Sequence, residues 1–370
     1  MNLKCHDVIK IIEELAPKVL ALEGDNVGLQ IGDPDKEVRR VMVALDAVPA
    51  VVYEAIEKRV DMLITHHPFF YRPARNLRYD VPQGHITQLL IKNDIALYSA
   101  HTNLDCAIGG VNDVLCDVLE LKNREVLDKG YEEGLKKVVV FVPKGYLDAV
   151  RDAMSEAGAG HIGNYSHCTF ACEGIGTFKP LQGSNPFIGQ VGKLEKAEEY
   201  RLETIVPESR LDAVIKAMLS VHPYEEVAYD VYPEDISYKI YGLGRIGELE
   251  KEMDFSEFAC YVKNKLAVTF VRAIGKRDKK VKKVAVCGGN GTSLIQKAIS
   301  KGADVMVTGD VGYHQAQDAL AAGFSIIDAG HYGTEKVVVP YLAGYIRKKL
   351  HHADLEVMQS EIDIEPFSIF

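Results

Sequence analysis

Two stretches of this 370-residue chain repeat one another 243 positions apart. Val38-Arg39-Arg40-Val41 returns as Val281-Lys282-Lys283-Val284, and Asp61-Met62-Leu63-Ile64-Thr65 returns as Asp304-Val305-Met306-Val307-Thr308. Between the landmarks each copy carries a helical stretch, EAIEKRV in one and SLIQKAISKG in the other. Strand, helix and strand within about 30 residues make a βαβ unit. Each copy then runs through another helix to another apolar strand, IALYSA or FSIIDA. The repeat therefore predicts an α/β fold of two similar lobes that face each other as one discontinuous core. A chain of this length is expected to form two or three domains.

A second, shorter repeat lies between the lobes. Val142-Pro143 and Leu147-Asp148-Ala149-Val150 return 64 positions later as Val206-Pro207 and Leu211-Asp212-Ala213-Val214. Each copy reads as a strand, an amphipathic helix and a polar-rich strand. Two such copies in tandem predict a ferredoxin-like α+β domain. It is placed at 130–236, inserted between a first lobe at 1–129 and a second at 237–370. Residues 178–196, with Gly183-Ser184-Asn185-Pro186, lack periodicity and read as a long loop or irregular hairpin.

Composition narrows the partners. A hydrophobic content of 47% with 26% charged residues is that of an ordinary globular chain. A net charge of −10 argues against duplex nucleic acid and against an anionic membrane surface. No apolar run approaches a membrane span and Met1–Lys10 lacks signal-peptide architecture, so the expected location is the cytoplasm. The seven cysteines are odd in number and scattered, which suits reduced thiols. Cys168 and Cys172 have no second cysteine pair to complete a structural zinc site.

Four polar clusters follow the apolar strands: His66-His67-Pro68, His101 to Asp105, Gly309-Asp310, and His331 with Glu335. Strand ends on one edge of an open α/β sheet share a crevice, where ligands bind. One histidine there is ordinarily a satisfied buried side chain; four clusters of imidazole and carboxylate at matching strand ends favour a two-metal centre. A turn at Pro68 would let His66 and His67 address two cations, and the i,i+4 spacing puts His331 and Glu335 on one face of a helix starting near Gly330. With Asp105 the set is three nitrogens and two carboxylates, which leaves room for water and substrate and so favours catalysis over a closed site. Without a sulfur ligand, zinc, iron, manganese and cobalt all fit. His101 is read as a catalytic candidate, orienting a ligand or donating a proton. His314 has an equal claim to the cleft and to the surface. Asp25 and Asn26 read as a turn cap. Gly288-Gly289-Asn290-Gly291-Thr292 reads as a tight strand-to-helix turn or a phosphate cradle, without the P-loop lysine. His161, His167 and His222 in the insert read as surface or interface residues rather than a second site.

GDNVGLQIG at 24–32, THHP at 65–68, SAHTNLD at 99–105 and DAGHYGTE at 328–335 together resemble the Nif-three-like family (NGG-one-interacting factor three). Its members carry the name GTP cyclohydrolase I type 2 homologues. The resemblance covers both outer lobes. It implies a two-lobed α/β unit assembled as a toroidal homohexamer with an interior dinuclear metal site. It also implies His66, His67, Asp105, His331 and Glu335 as ligands, with Glu335 bridging. Two divalent ions per subunit follow, zinc first, with iron, manganese or cobalt as alternatives. The insert resembles PII and CutA-like trimeric domains, through its repeat and the string His222-Pro223-Tyr224-Glu225.

Three functions fit these readings. In a metal-dependent hydrolase, water activated between the cations would attack an electrophilic carbon, which the family name would place in the purine ring of GTP; Glu335 and His101 would take part. In a metal-handling or metallocentre-insertion protein the same ligands would store or transfer the ion. In a regulatory scaffold the insert would sense a small ligand. The hydrolase, acting on a small-molecule substrate, is ranked first.

Overall fold

The structure is a computed structural model that describes residues 3–369. The chain forms two compact units. One runs to Tyr131 and resumes at Tyr241; the other is Glu132–Ile240.

The first unit carries two sheets. In one, the strands lie in the order Gly28–Ile31, Ala96–Ser99, Met62–Thr65, Arg40–Ala44 and Glu356–Gln359. All its pairings are parallel except that of the edge strand Gly28–Ile31. In the other, Lys280–Val286, Val305–Thr308 and Ser325–Asp328 are parallel neighbours. Tyr229–Asp254 and Arg272–Ile274 flank them antiparallel. The strands MLIT, ALYS, VMVT and SIID are buried at every position, as parallel strands covered on both faces must be.

Strand periodicity divides each sheet between two cores. Val41, Val43, Met62 and Ile64 point to one side of the first sheet. Met42, Ala44 and Leu63 point to the other, under the helices Pro49–Glu57 and Pro82–Lys92. A slip of one residue would exchange the two sets, and each large aliphatic side chain is worth about 1.5–3 kcal/mol when fully buried, so register is strongly held.

The two halves exchange elements. The helix Val111–Val118, from the first half of the chain, buries Leu115 and Cys116 against Val284, Val286, Val305 and Val307 of the second sheet. The helix Val338–Lys349, from the second half, buries Leu342, Ala343 and Ile346 against Val41, Val43, Met62 and Ile64 of the first. Glu356–Gln359 then pairs with Arg40–Ala44. The repeated lobes therefore follow chain order only as far as their third strands.

The second unit follows the element order βαββαβ: Lys122–Pro143, Leu147–Glu156, Thr169–Phe178, Glu195–Pro207, Leu211–Val221 and Tyr229–Asp254. This is the ferredoxin-like order, and its central pairings are antiparallel. Val138, Val140, Val142 and Leu202 pack against Val150, Met154, Val214 and Met218 of the two helices. Between Phe178 and Glu195 the chain forms turns and bends without a strand. No helix among the described residues is long and apolar enough to cross a membrane.

Candidate metal centre

Each sheet in the first unit delivers its polar clusters at the carboxyl ends of its buried strands. His66 and His67 follow Met62–Thr65. His101 caps the short helix Thr102–Cys106, which carries Asp105, after Ala96–Ser99. His331 and Glu335 open and close the helix His331–Glu335 after Ser325–Asp328. The apolar residues of these strands are buried in the sheets, and the polar residues that follow are left at the sheet edge, where ligands of open α/β sheets bind.

The structure brings the five proposed ligands together, with His101 among them. Ligand atoms of His66, His67 and His101 form one group, those of His67, His331 and Glu335 a second, and those of His66, Asp105 and Glu335 a third, each within 4.8 Å. Glu335 lies between them. Its Oε2 is 3.0 Å from His67 Nε2 and 3.1 Å from His331 Nε2, and its Oε1 is 3.8 Å from His66 Nε2. Asp105 Oδ1 lies 3.6 Å from His66 Nε2.

The outer nitrogens explain which atoms face inward. His66 Nδ1 donates to the Ala100 carbonyl at 2.9 Å, and His67 Nδ1 to Asp46 Oδ1 at 2.8 Å. His101 Nδ1 donates to Asp25 at 2.9 Å and His331 Nδ1 to Asp310 at 2.7 Å. A proton held on Nδ1 leaves a lone pair on Nε2, the arrangement that orients histidines toward a metal. The inner atoms then face one another as acceptors: His67 Nε2 and His331 Nε2 are 3.2 Å apart. His66 Nε2, Asp105 Oδ1 and Glu335 Oε2 are buried without a hydrogen-bond partner. Such an arrangement requires positive charge at its centre, from protons or from metal ions.

Without metal, protons fill that role. Burial alone would lower the His67 pKa, but the bond to Asp46 and the adjacent Glu335 carboxylate outweigh it and hold it up to about 10. Glu335 raises His331 to about 9 against burial, with help from Asp310. Burial also opposes the charge on Glu335, yet His66 and the other imidazoles keep its carboxyl well below the usual range. For Asp105 burial wins, and its pKa is raised.

The remaining candidates fall apart from this group. His314 is exposed on the first turn of Tyr313–Ala321, against Tyr313. The glycine-rich turn is no phosphate cradle, because four of its five N–H groups are committed: Gly288 donates to Asn112, Gly289 to Thr334, Gly291 to Thr308 and Thr292 to Asn290. Its role is close approach. A Cβ on Gly289 would lie 2.2 Å from Glu335 Oε1, and the residue adopts φ +59°. His161 and His167 are exposed, while His222 is buried with both nitrogens in hydrogen bonds.

Sequence reasoning missed the outer acceptors. Asp25, read as a turn cap, accepts from the Thr102 backbone as well as from His101, and its pKa falls to about 2 because these bonds outweigh burial. Asp46 stands two positions past Arg40–Ala44 and went unremarked, although its place at a strand end was the available signal.

Residues 3–366 match the family described as Duf34/NIF3 (NGG1p interacting factor 3). The chain belongs to this family. A Bacillus subtilis protein named GTP cyclohydrolase 1 type 2 homolog is 50% identical over 366 residues, which cover 98% of this chain and 97% of the relative. The solved structure of a Bacillus cereus protein related to NIF3 shares 48% identity with a TM-score of 0.95 and full coverage of both chains. A Staphylococcus aureus protein structure shares 30% identity at a TM-score of 0.76, covering 100% of this chain and 99% of that one. The NIF3 resemblance read from the four motifs is thus established across the whole chain, and the mixed α/β architecture with two sheets is that of the family.

Proposed function

We propose that this NIF3 protein is a metal-dependent hydrolase built on two divalent cations. The observation that carries the proposal is the convergence of inward-facing acceptors on Glu335, whose two oxygens address different imidazoles. His66 with Asp105 would hold one cation and His67 with His331 the other, with Glu335 between them and His101 beside His66 and His67. When bound, such a pair lowers the pKa of water and polarises an electrophile. The donor set of nitrogen and oxygen suits zinc first, then iron, manganese or cobalt. The chain's own contribution is orientation: Asp46, Asp25, Asp310 and the Ala100 carbonyl fix the four rings, and Gly289 lets the backbone close on Glu335.

The relatives' name supplies a purine nucleotide as the first substrate to try. The test is metal analysis of the purified protein, followed by GTP turnover with zinc, manganese or iron, with Glu335→Gln as the control. About two ions per chain and turnover lost with Glu335→Gln are expected. Full metal content with no turnover of GTP or other nucleotides would replace the hydrolase with metal storage or transfer. A toroidal homohexamer in the cytoplasm and a PII/CutA-like kinship of the insert belong to the same proposal. The insert's βαββαβ order supports the kinship, and light scattering tests the assembly.

A further inference from the structure

The second unit contains a cavity of about 600 Å3, the size of a small-molecule pocket, and all the residues that line it belong to Glu132–Ile240. Four aromatic side chains line it, Phe141, Phe178, Phe187 and Tyr224. The Phe178 and Phe187 rings lie 6.2 and 6.1 Å from the Tyr224 ring, and Phe141 lines the same space. One carboxylate is set into this wall. Glu199, on Glu195–Pro207, is 8% exposed, and its Oε1 accepts from the Tyr224 hydroxyl at 2.9 Å. Gly176 makes room for it, since a Cβ there would stand 2.0 Å from Glu199 Oε2.

No cation pairs with Glu199 among the described residues. Nearby Lys144 and Arg201 pair with Glu198 and Glu203 instead. His222 is held neutral: its Nδ1 accepts from the Tyr224 N–H while its Nε2 donates to the Phe141 carbonyl. Lys179 lines the cavity but is exposed, against three lining glutamates, Glu199, Glu225 and Glu226. A largely buried carboxylate without a counter-charge is costly. The cavity thus combines aromatic side chains, a buried carboxylate without a counter-charge and an acidic lining. Glu225 also accepts from the Asn185 N–H, tying the loop that supplies Phe187 to the segment that supplies Tyr224.

We propose that this cavity binds a small organic cation, an amine or quaternary ammonium, with its charge against Glu199 and its alkyl groups against Phe178, Phe187 and Tyr224. Ring faces attract such cations, and a carboxylate at the same place adds the charge that excludes neutral and anionic competitors. The site is separate in sequence from the metal-type residues, all of which lie in the other unit.

Calorimetric titration of the full-length protein tests this with choline and benzyltrimethylammonium, and with 3,3-dimethylbutan-1-ol as an uncharged mimic of choline. The ammonium ions are expected to bind saturably and the alcohol at least about tenfold more weakly. Glu199→Gln should remove most of that difference, and Phe187→Ala should weaken choline at a side chain that is 52% exposed and so dispensable for the core. Metal content should stay at the wild-type value in both variants. Equal binding of choline and the alcohol would reduce the site to an apolar cavity and overturn the proposal. So would the absence of binding by either ammonium ion, or wild-type affinity in Glu199→Gln. Should Glu199→Gln fail to fold, wild-type choline affinity in Phe187→Ala would overturn it instead.

Discussion

Glu335 is the residue on which the proposed metal centre turns, because each of its oxygens faces a different set of imidazoles. Glu335→Gln keeps the shape but removes the charge. Its metal affinity, measured by chelator competition, should fall further than in Asp46→Asn, which loses only the negative charge of the outer partner of His67 and should cost about 10–100-fold. Equal losses would mean that Glu335 is no ligand. Protonation supplies a second prediction at this scale. In the metal-free protein His67 titrates at about 10 and His331 at about 9, both raised above the ordinary histidine value. Raised pKa values stabilise the folded metal-free state fully below about pH 6.5, and that stabilisation is lost as pH rises through 9 to 10. Metal must displace the same protons, so its affinity should increase with pH over this range. Calorimetry in buffers of different ionisation enthalpy should show protons released on metal binding, and the metal-free melting temperature should fall as pH rises through that window.

At the scale of elements, the turn between Lys280–Val286 and the following helical turns carries the tightest constraint on the site. Gly289→Ala would drive a methyl group toward Glu335 Oε1 at a backbone position with φ +59°. A modest loss of stability, about 1–2 kcal/mol, is expected with a disproportionate loss of bound metal. Thermal melting and metal analysis of the same sample separate the two effects. Arg245 joins other elements. It is 2% exposed, forms paired hydrogen bonds to Asp113, and donates to the carbonyls of Gly242, Gly244 and Ala107. Arg245→Met would leave Asp113 without its buried partner and should cost about 3–5 kcal/mol, read as a lower midpoint in denaturant. Because Ala107 directly follows the helix that bears Asp105, metal affinity should fall as well.

At the scale of the whole molecule, the metal-type residues all lie in the unit that excludes Glu132–Ile240. The chain leaves that unit beside the point where it returns: the rings of Tyr131 and Tyr241 are 6.0 Å apart. A short Gly/Ser linker in place of 132–240 should therefore close the unit without strain. The deletion variant is expected to fold and to bind the same amount of metal per chain as the full protein. A folded variant that holds no metal would show that the insert supplies a ligand.

The parts list was legible in the order of residues alone. The repeat at an offset of 243 positions announced two βαβ lobes, and the polar residues after MLIT, ALYS and SIID announced the cluster, because a buried strand must end where polar residues begin. The i,i+4 spacing of His331 and Glu335 already placed them on one helical face. Tertiary structure decided the rest. The helices Val111–Val118 and Val338–Lys349 have apolar faces that would suit either sheet, and helical periodicity carries no address; packing sends each to the sheet of the other half. Nor does spacing reveal that Asp25, Asp46 and Asp310 hold His101, His67 and His331. Those contacts join residues 21 to 76 positions apart, and only folding brings such distant carboxylates within hydrogen-bond reach of an imidazole and so decides which nitrogen faces the centre.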